Sequence, residues 1–182
     1  YAMIKLIDDN LGRLLATLEE LDLAEDTLVI FTSDHGETLG DHGLIQKGCR
    51  FYEGLVHVPL IWRWPGRVAA GVRRQALVEL LDKAPTILDF AGIEVPAHMQ
   101  GRSLRGLLED PGAADHHRDF ARTEYYDALD LPDASRATMI RTARYKLVVY
   151  HGHGLGELFD LEADPWEHDN LWDDPGHAAL KT

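Results

Sequence analysis

The chain has 182 residues, 45% hydrophobic and 27% charged, the balance of a folded globular chain and not of a disordered one. Acidic residues number 31 against 18 basic ones, for a formal net charge of −13. That excess repels phosphate backbones and anionic lipid, so neither nucleic acid nor a membrane is an expected partner. A single cysteine, Cys49, allows no intrachain disulfide, and no apolar run approaches the roughly 18 residues of a membrane span.

The chain opens on Tyr1-Ala2-Met3 and runs directly into a helical pattern, as the interior of a longer polypeptide does. Ile4, Ile7, Leu11, Leu14, Leu15 and Leu18 recur at steps of three and four, which predicts an amphipathic helix over 1–21. Thr27–Thr32 is a continuous apolar, β-branched run. It predicts a strand buried on both faces, of the kind found in helix-covered parallel sheets. Residues 37–54 are glycine-rich and irregular. Val56–Arg63 predicts a further strand, with Pro59 implying an edge or a bulge, and Trp64-Pro65-Gly66 closes it as a turn. A helix is expected over Asp82–Gly92, with Asp82 as N-cap, Pro85 in the first turn and Gly92 as the stop.

Residues 109–118 form a polar loop and a natural boundary. Beyond it Phe120–Tyr126, Ala137–Thr142, Tyr145–Tyr150 and Glu157–Leu161 predict a small antiparallel sheet, with Ala143-Arg144 as a hairpin turn. Helix, buried strand and polar loop followed by this sheet make an α/β fold.

The segment with the most chemistry in it is Ser33-Asp34-His35-Gly36, at the carboxyl end of the first strand, where ligands gather in open α/β sheets. Asp34 offers carboxylate oxygens and His35 an imidazole nitrogen to a divalent cation. Gly36 permits the turn that lets two adjacent side chains converge. Thirteen residues after Asp34, Lys47 lies on a loop that returns to the same region, where an ammonium could hold an anion beside the metal. On spacing alone, a metal site and a plain turn are equally good readings.

The run Thr32–Gly48 continues through Tyr52–Gly66, Leu81–Asp89, Met99–Leu104, Arg144–Val148, Glu157–Pro165 and Asn170-Leu171. In that order and across nearly the whole chain, it resembles the sulfatase family of the alkaline-phosphatase superfamily, including its arylsulfatases, choline-sulfatase-like members and phosphonate monoester hydrolases. The resemblance implies part of a helix-flanked mixed sheet followed by a small antiparallel C-terminal sheet with a helix. Residues 1–110 would belong to the catalytic α/β domain and 111–182 to a C-terminal sheet subdomain. Asp34 and His35 match the family's second pair of metal ligands, for calcium first and magnesium or manganese as alternatives. Lys47 matches the lysine that contacts the sulfate group, a binding and catalytic role, and His42 in the same loop is a further candidate substrate contact. The implied partners are a small-molecule sulfate ester and the N-terminal half of the same polypeptide.

The departures are as informative. The family's nucleophile is a formylglycine made within a Cys/Ser-x-Pro/Ala-x-Arg motif, and this chain has none: Cys49 is followed by Arg50-Phe51-Tyr52, and Asp8-Asp9 on the opening helix is not the family's first aspartate pair. The resemblance therefore implies a C-terminal portion that is inactive alone. Phosphonate or phosphate esters, or a non-catalytic scaffold role, are the alternatives. Cys49 reads as a loop thiol. His116-His117 lies in a polar loop and His151-x-His153 near a hairpin end, with no carboxylate clearly positioned beside either to complete a metal site, and Arg102-Ser103 reads as loop-fixing. The acidic stretch 157–174 reads as a solvated, turn-rich surface.

Overall fold

A computed structural model describes residues 1–127 and 136–181. Helix α1 (Ala2–Glu20) forms where the apolar stripe predicts it. Ile4, Ile7, Leu11 and Leu15 line one groove together with Val29, Phe31 and Ile61. Ile4 and Ile7 nevertheless remain 66% and 56% exposed, so the stripe is only partly covered.

Strand β1 (Val29–Thr32) departs from expectation. It pairs antiparallel with β2 (Leu60–Arg63), Val29 opposite Arg63 and Thr32 opposite Leu60, and all four of its residues are half-buried. A two-stranded ribbon with α1 nearby cannot enclose both faces of an apolar strand, which is why the buried-strand signature is not met within this chain. Strand β2 is also shorter than its sequence pattern. Val56 instead closes a one-turn helix, α2 (Glu53–Val56), and Pro59, lacking an N–H, stands just before the first paired residue.

Helix α3 (Lys83–Phe90) follows a single 3-10 turn at Leu80–Asp82, and Gly92 ends it at φ 69°. Asp82 is its N-cap by position only, because its carboxylate turns away from the α3 amides. Its Oδ2 accepts the Glu79 N–H and its Oδ1 the Arg102 N–H, both at 2.8 Å, and the Arg118 guanidinium pairs with it. Glu79 in turn pairs with Arg118 and accepts the Arg122 N–H at 2.7 Å. The backbone comes so close here that a Cβ on Gly101 would lie 2.1 Å from the Leu81 carbonyl oxygen. This polar cluster fastens α3 and the short α4 (Arg105–Glu109) to the entry of the second sheet. As expected, Arg102 and Ser103 serve the loop: the Ser103 hydroxyl donates to Asp89 at 2.5 Å.

Among the described residues the second sheet is an antiparallel meander, β3 (Ala121–Tyr126), β4 (Arg136–Arg141), β5 (Tyr145–Tyr150) and β6 (Leu155–Asp160), in chain order. The register sets Tyr125 beside Ala137, Ala137 beside Tyr150, Met139 beside Val148 and Arg141 beside Lys146. Cross-strand partners share a face, so one face carries an apolar patch that runs into two cations. Phe51 completes that patch, and Cys49, Val56, Tyr125 and Tyr150 pack against it. A 3-10 helix at Pro175–Lys181 follows the sheet.

The Asp82 cluster makes a measurable claim. Asp82→Ala leaves Arg118, 10% exposed, without its buried carboxylate, and the expected loss is about 3–5 kcal/mol. Urea unfolding reads it directly. An unchanged midpoint would mean that Glu79 alone balances Arg118.

Candidate active site

Asp34, His35 and Lys47 come together at the end of β1. His35 Nδ1 lies 2.7 Å from the Gly36 carbonyl oxygen, which can only accept. Nδ1 therefore carries the ring proton, and the lone pair is on Nε2. That lone pair faces the Lys47 ammonium at 2.5 Å, with Asp34 Oδ2 at 3.6 Å from the same nitrogen. A ring held through Nδ1–H to a carbonyl, with the Nε2 lone pair turned toward a cation, is the arrangement metal-ligating histidines adopt, and here the cation at Nε2 is the Lys47 ammonium. The His35 amide donates to Asp34 Oδ1 at 2.9 Å, and this bond holds the Asp34 carboxyl below the usual carboxylate range. The Asp34 side chain is 84% exposed and that of His35 42%. The trio opens on a broad groove that also touches Arg50, Phe51, Tyr125 and Arg141.

Gly36 is required by contact. A Cβ there would sit 1.9 Å from the Gly54 carbonyl oxygen, and the Gly36 N–H donates to the Leu55 carbonyl at 2.8 Å. The turn bearing Asp34 and His35 is thus pressed onto α2, which follows the Lys47 loop in sequence. His42 is engaged differently from the other three. Its ring stacks on Tyr52 at 3.7 Å between centroids and 8° between planes, with His168 5.4 Å away.

Sequence reasoning missed what lies behind the loop. Lys146, fully buried, donates to the Phe51 carbonyl at 2.9 Å and pairs at 2.7 Å with both Glu53 and Glu167. Glu53 also meets His57 at 3.1 Å and Arg141 at 3.5 Å. Burial alone would raise the Glu53 carboxyl, but the His57 hydrogen bond and the Lys146 ammonium outweigh it and hold it at about 2. The Glu53 hydrogen bond raises His57 correspondingly. The available signal was a lysine two residues from Val148 on the inward face of a strand, a position where lysine is rarely unpaired.

This network corrects the reading of 157–174 as solvated surface. Glu167 and Asp160 are buried, Asp160 bonded to Arg144 at 2.6 Å, and Glu157 bonds the Tyr150 hydroxyl at 3.1 Å. Of the histidine pairs, His116 meets Asp119 at 3.1 Å, His117 lies 3.5 Å from Asp82, and His151 meets Thr138 at 2.8 Å. Burial pushes the Cys49 thiol up, away from the thiolate a nucleophile needs. Among the described residues no three His, Cys, Asp or Glu side chains gather as a metal cluster.

With that geometry in view, comparison with known proteins is decisive. Residues 40–182 match the family described as N-sulphoglucosamine sulphohydrolase, C-terminal. The chain belongs to the sulfatases. Its fold is that of the C-terminal portion of an alkaline-phosphatase-superfamily protein. It is 39% identical over 176 residues to an N-acetylglucosamine-6-O-sulfatase of Bacteroides thetaiotaomicron, covering 94% of this chain and 31% of that protein. The structure of BT4656 in complex with its substrate D-glucosamine-2-N,6-O-disulfate superposes with a TM-score of 0.87 at 38% identity, over 98% of this chain and 36% of that one. The phosphonate monoester hydrolase of Agrobacterium radiobacter gives 0.88 at 34% identity, over all of this chain and 38% of that one. The chain thus spans about a third of the length of the sulfatases it matches.

Two outcomes test this geometry. Gly36→Ala forces the Asp34-His35 turn off α2, with an expected cost of about 1–3 kcal/mol read as a lowered thermal midpoint; an unchanged midpoint would mean the contact yields freely. The depressed Glu53 carboxyl stabilises the fold fully above its ordinary value of 4.5, and that stability is lost as pH falls toward about 2. Urea midpoints should therefore drop across that window, and Glu53→Gln should lower the midpoint at pH 7 while flattening the drop.

Proposed function

We propose that this chain forms the C-terminal part of an enzyme that hydrolyses sulfate esters, residues 1–110 completing its catalytic α/β domain and 111–182 forming a sheet subdomain. The observation that carries the reading is the convergence of one carboxylate, one imidazole lone pair and one ammonium, Asp34, His35 and Lys47, in a member of the sulfatases.

The donor set suits a divalent cation, and it is incomplete. Asp34 oxygens and His35 Nε2 make two donors, whereas calcium takes six to eight ligands and magnesium six, so further ligands come from the N-terminal part of the enzyme. When bound there, a cation would supply Lewis-acid polarisation of the ester, and a formylglycine from the same N-terminal part the nucleophile. This chain's own residues have separate tasks. Asp34 and His35 fix the cation relative to β1, with the His35 ring held by its bond to Gly36. Lys47 neutralises the charge on the ester's non-bridging oxygens. His42, stacked on Tyr52, borders the substrate from the same loop.

The similar BT4656 binds a disulfated glucosamine, which makes a sulfated amino sugar the first natural substrate to try. A second reading, a phosphonate monoester hydrolase, is favoured by the match to the Agrobacterium radiobacter enzyme across the whole chain. A scaffold without catalysis would have no use for the Asp34–His35–Lys47 contact.

In the full-length enzyme, Lys47→Ala should lower kcat/KM for 4-nitrophenyl sulfate by about a hundred- to a thousandfold with the thermal midpoint retained. Unchanged kinetics would remove Lys47 from the site. The unaltered enzyme should prefer the sulfate ester over the matched phenylphosphonate ester, and the reverse ranking would transfer the proposal to the second reading.

A further inference from the structure

We infer that Lys146 is a positioning residue for this site, acting from the C-terminal sheet on both the Lys47 loop and the Asp34-His35 turn. The inference rests on the reading of those three residues as the site. The ammonium is fully buried, and its three partners come from two distant stretches of chain: it donates to the Phe51 carbonyl and forms ion pairs with Glu53 Oε1 and Glu167 Oε1. Phe51 is four residues past Lys47. Glu53 opens α2, whose Leu55 carbonyl holds the Gly36 N–H immediately after His35. One charge therefore controls where Lys47 can reach and where the metal-binding pair points.

Glu167 closes the arrangement from the far side. Its Oε2 accepts the Glu53 N–H at 2.6 Å, and its backbone sits at φ 61°, a conformation a non-glycine residue holds only when its surroundings require it. Packing alone does not account for the lysine. A methionine at 146 would fill similar volume beside Val148 without the desolvation penalty of a buried ion. What the ammonium adds is direction, because it gathers one carbonyl and two carboxylates around one point.

The test uses the full-length enzyme carrying Lys146→Met, or Lys146→Met with Glu167→Gln. The double variant removes the ammonium without stranding a buried carboxylate, since Glu53 keeps Arg141 and His57. Thermal midpoint, calcium affinity by isothermal titration, and kcat/KM for 4-nitrophenyl sulfate are measured on each. The double variant should melt within a few degrees of the parent, yet bind calcium about tenfold more weakly and lose at least about tenfold in kcat/KM, the scale of effects seen when support behind a metal ligand is removed. Calcium affinity and kcat/KM at parental levels in the double variant would overturn the inference, reducing Lys146 to structural glue. So would failure of the double variant to fold, which would make the ammonium a requirement of the fold itself. If Asp34→Asn and Lys47→Ala also leave calcium affinity and kinetics untouched, the site reading fails first and this inference falls with it.

Discussion

The loop from Lys47 to Val56 lies between two surfaces, and its contacts with both leave little freedom. On one side Gly54 and Leu55 touch Gly36 so closely that no side chain fits between them. On the other, Phe51 enters the apolar face of the antiparallel sheet, and its carbonyl meets the buried Lys146 ammonium. Interiors packed at crystal-like density transmit displacement instead of absorbing it. A shift of the sheet would thus move the loop, and the loop would move the turn bearing Asp34 and His35. The C-terminal sheet contributes no reacting group to the trio, yet it is one wall of the seat on which the trio rests.

The same logic explains how an acidic chain uses its carboxylates. Surface ion pairs add little to stability, and pairs such as Lys5 with Asp9 are of that kind. The buried and half-buried acids are different. Asp82 joins α3 to the segment leading into β3, Asp160 holds the Arg144 hairpin, and Glu53 with Glu167 encloses Lys146. Each links segments distant in sequence, at points where a misplaced backbone would leave a charge unpaired in a low-dielectric interior. These pairs specify one arrangement of the segments more than they deepen its stability.

Much of this was legible in the residue pattern, for reasons that differ along the chain. The four strands of the second sheet follow from period-two alternation between turn residues, and β5 begins and ends where the pattern places it. Helix α1 follows from its apolar stripe. Burial of β1 did not follow, because a continuous apolar run states what a strand requires from its neighbours, and among the described residues only β2 is hydrogen-bonded to it. The approach of Lys47 to His35 was foreseeable from two glycine-bounded turns at a strand end and from the sulfatase resemblance. The Lys146 network was not. It joins positions 114 residues apart, Glu53 and Glu167, and short-range patterns hold no such information. What the sequence did display was a single inward lysine, which names the burial problem without naming the partners that resolve it.

The charges at the trio also constrain how the proposed site must work. Asp34 contributes one negative charge and Lys47 one positive, while His35, with Nδ1–H on the Gly36 carbonyl and its Nε2 lone pair on the Lys47 ammonium, contributes none. The set is neutral as this chain supplies it, on a chain whose net charge is −13. That wider negative field is screened beyond about 8 Å at physiological ionic strength, so it neither guides nor prevents the last step of approach. An anionic ester then gains little from the Asp34–Lys47 pair unless further positive charge stands beside it. On the proposed reading, a divalent cation supplies that charge. Because Asp34 is so exposed here, the strength of its attraction to such a cation also depends on how much water the rest of the enzyme excludes. On that reading, substrate affinity, metal affinity and enclosure by an N-terminal part rise and fall together, and Lys47 alone cannot substitute for any of them.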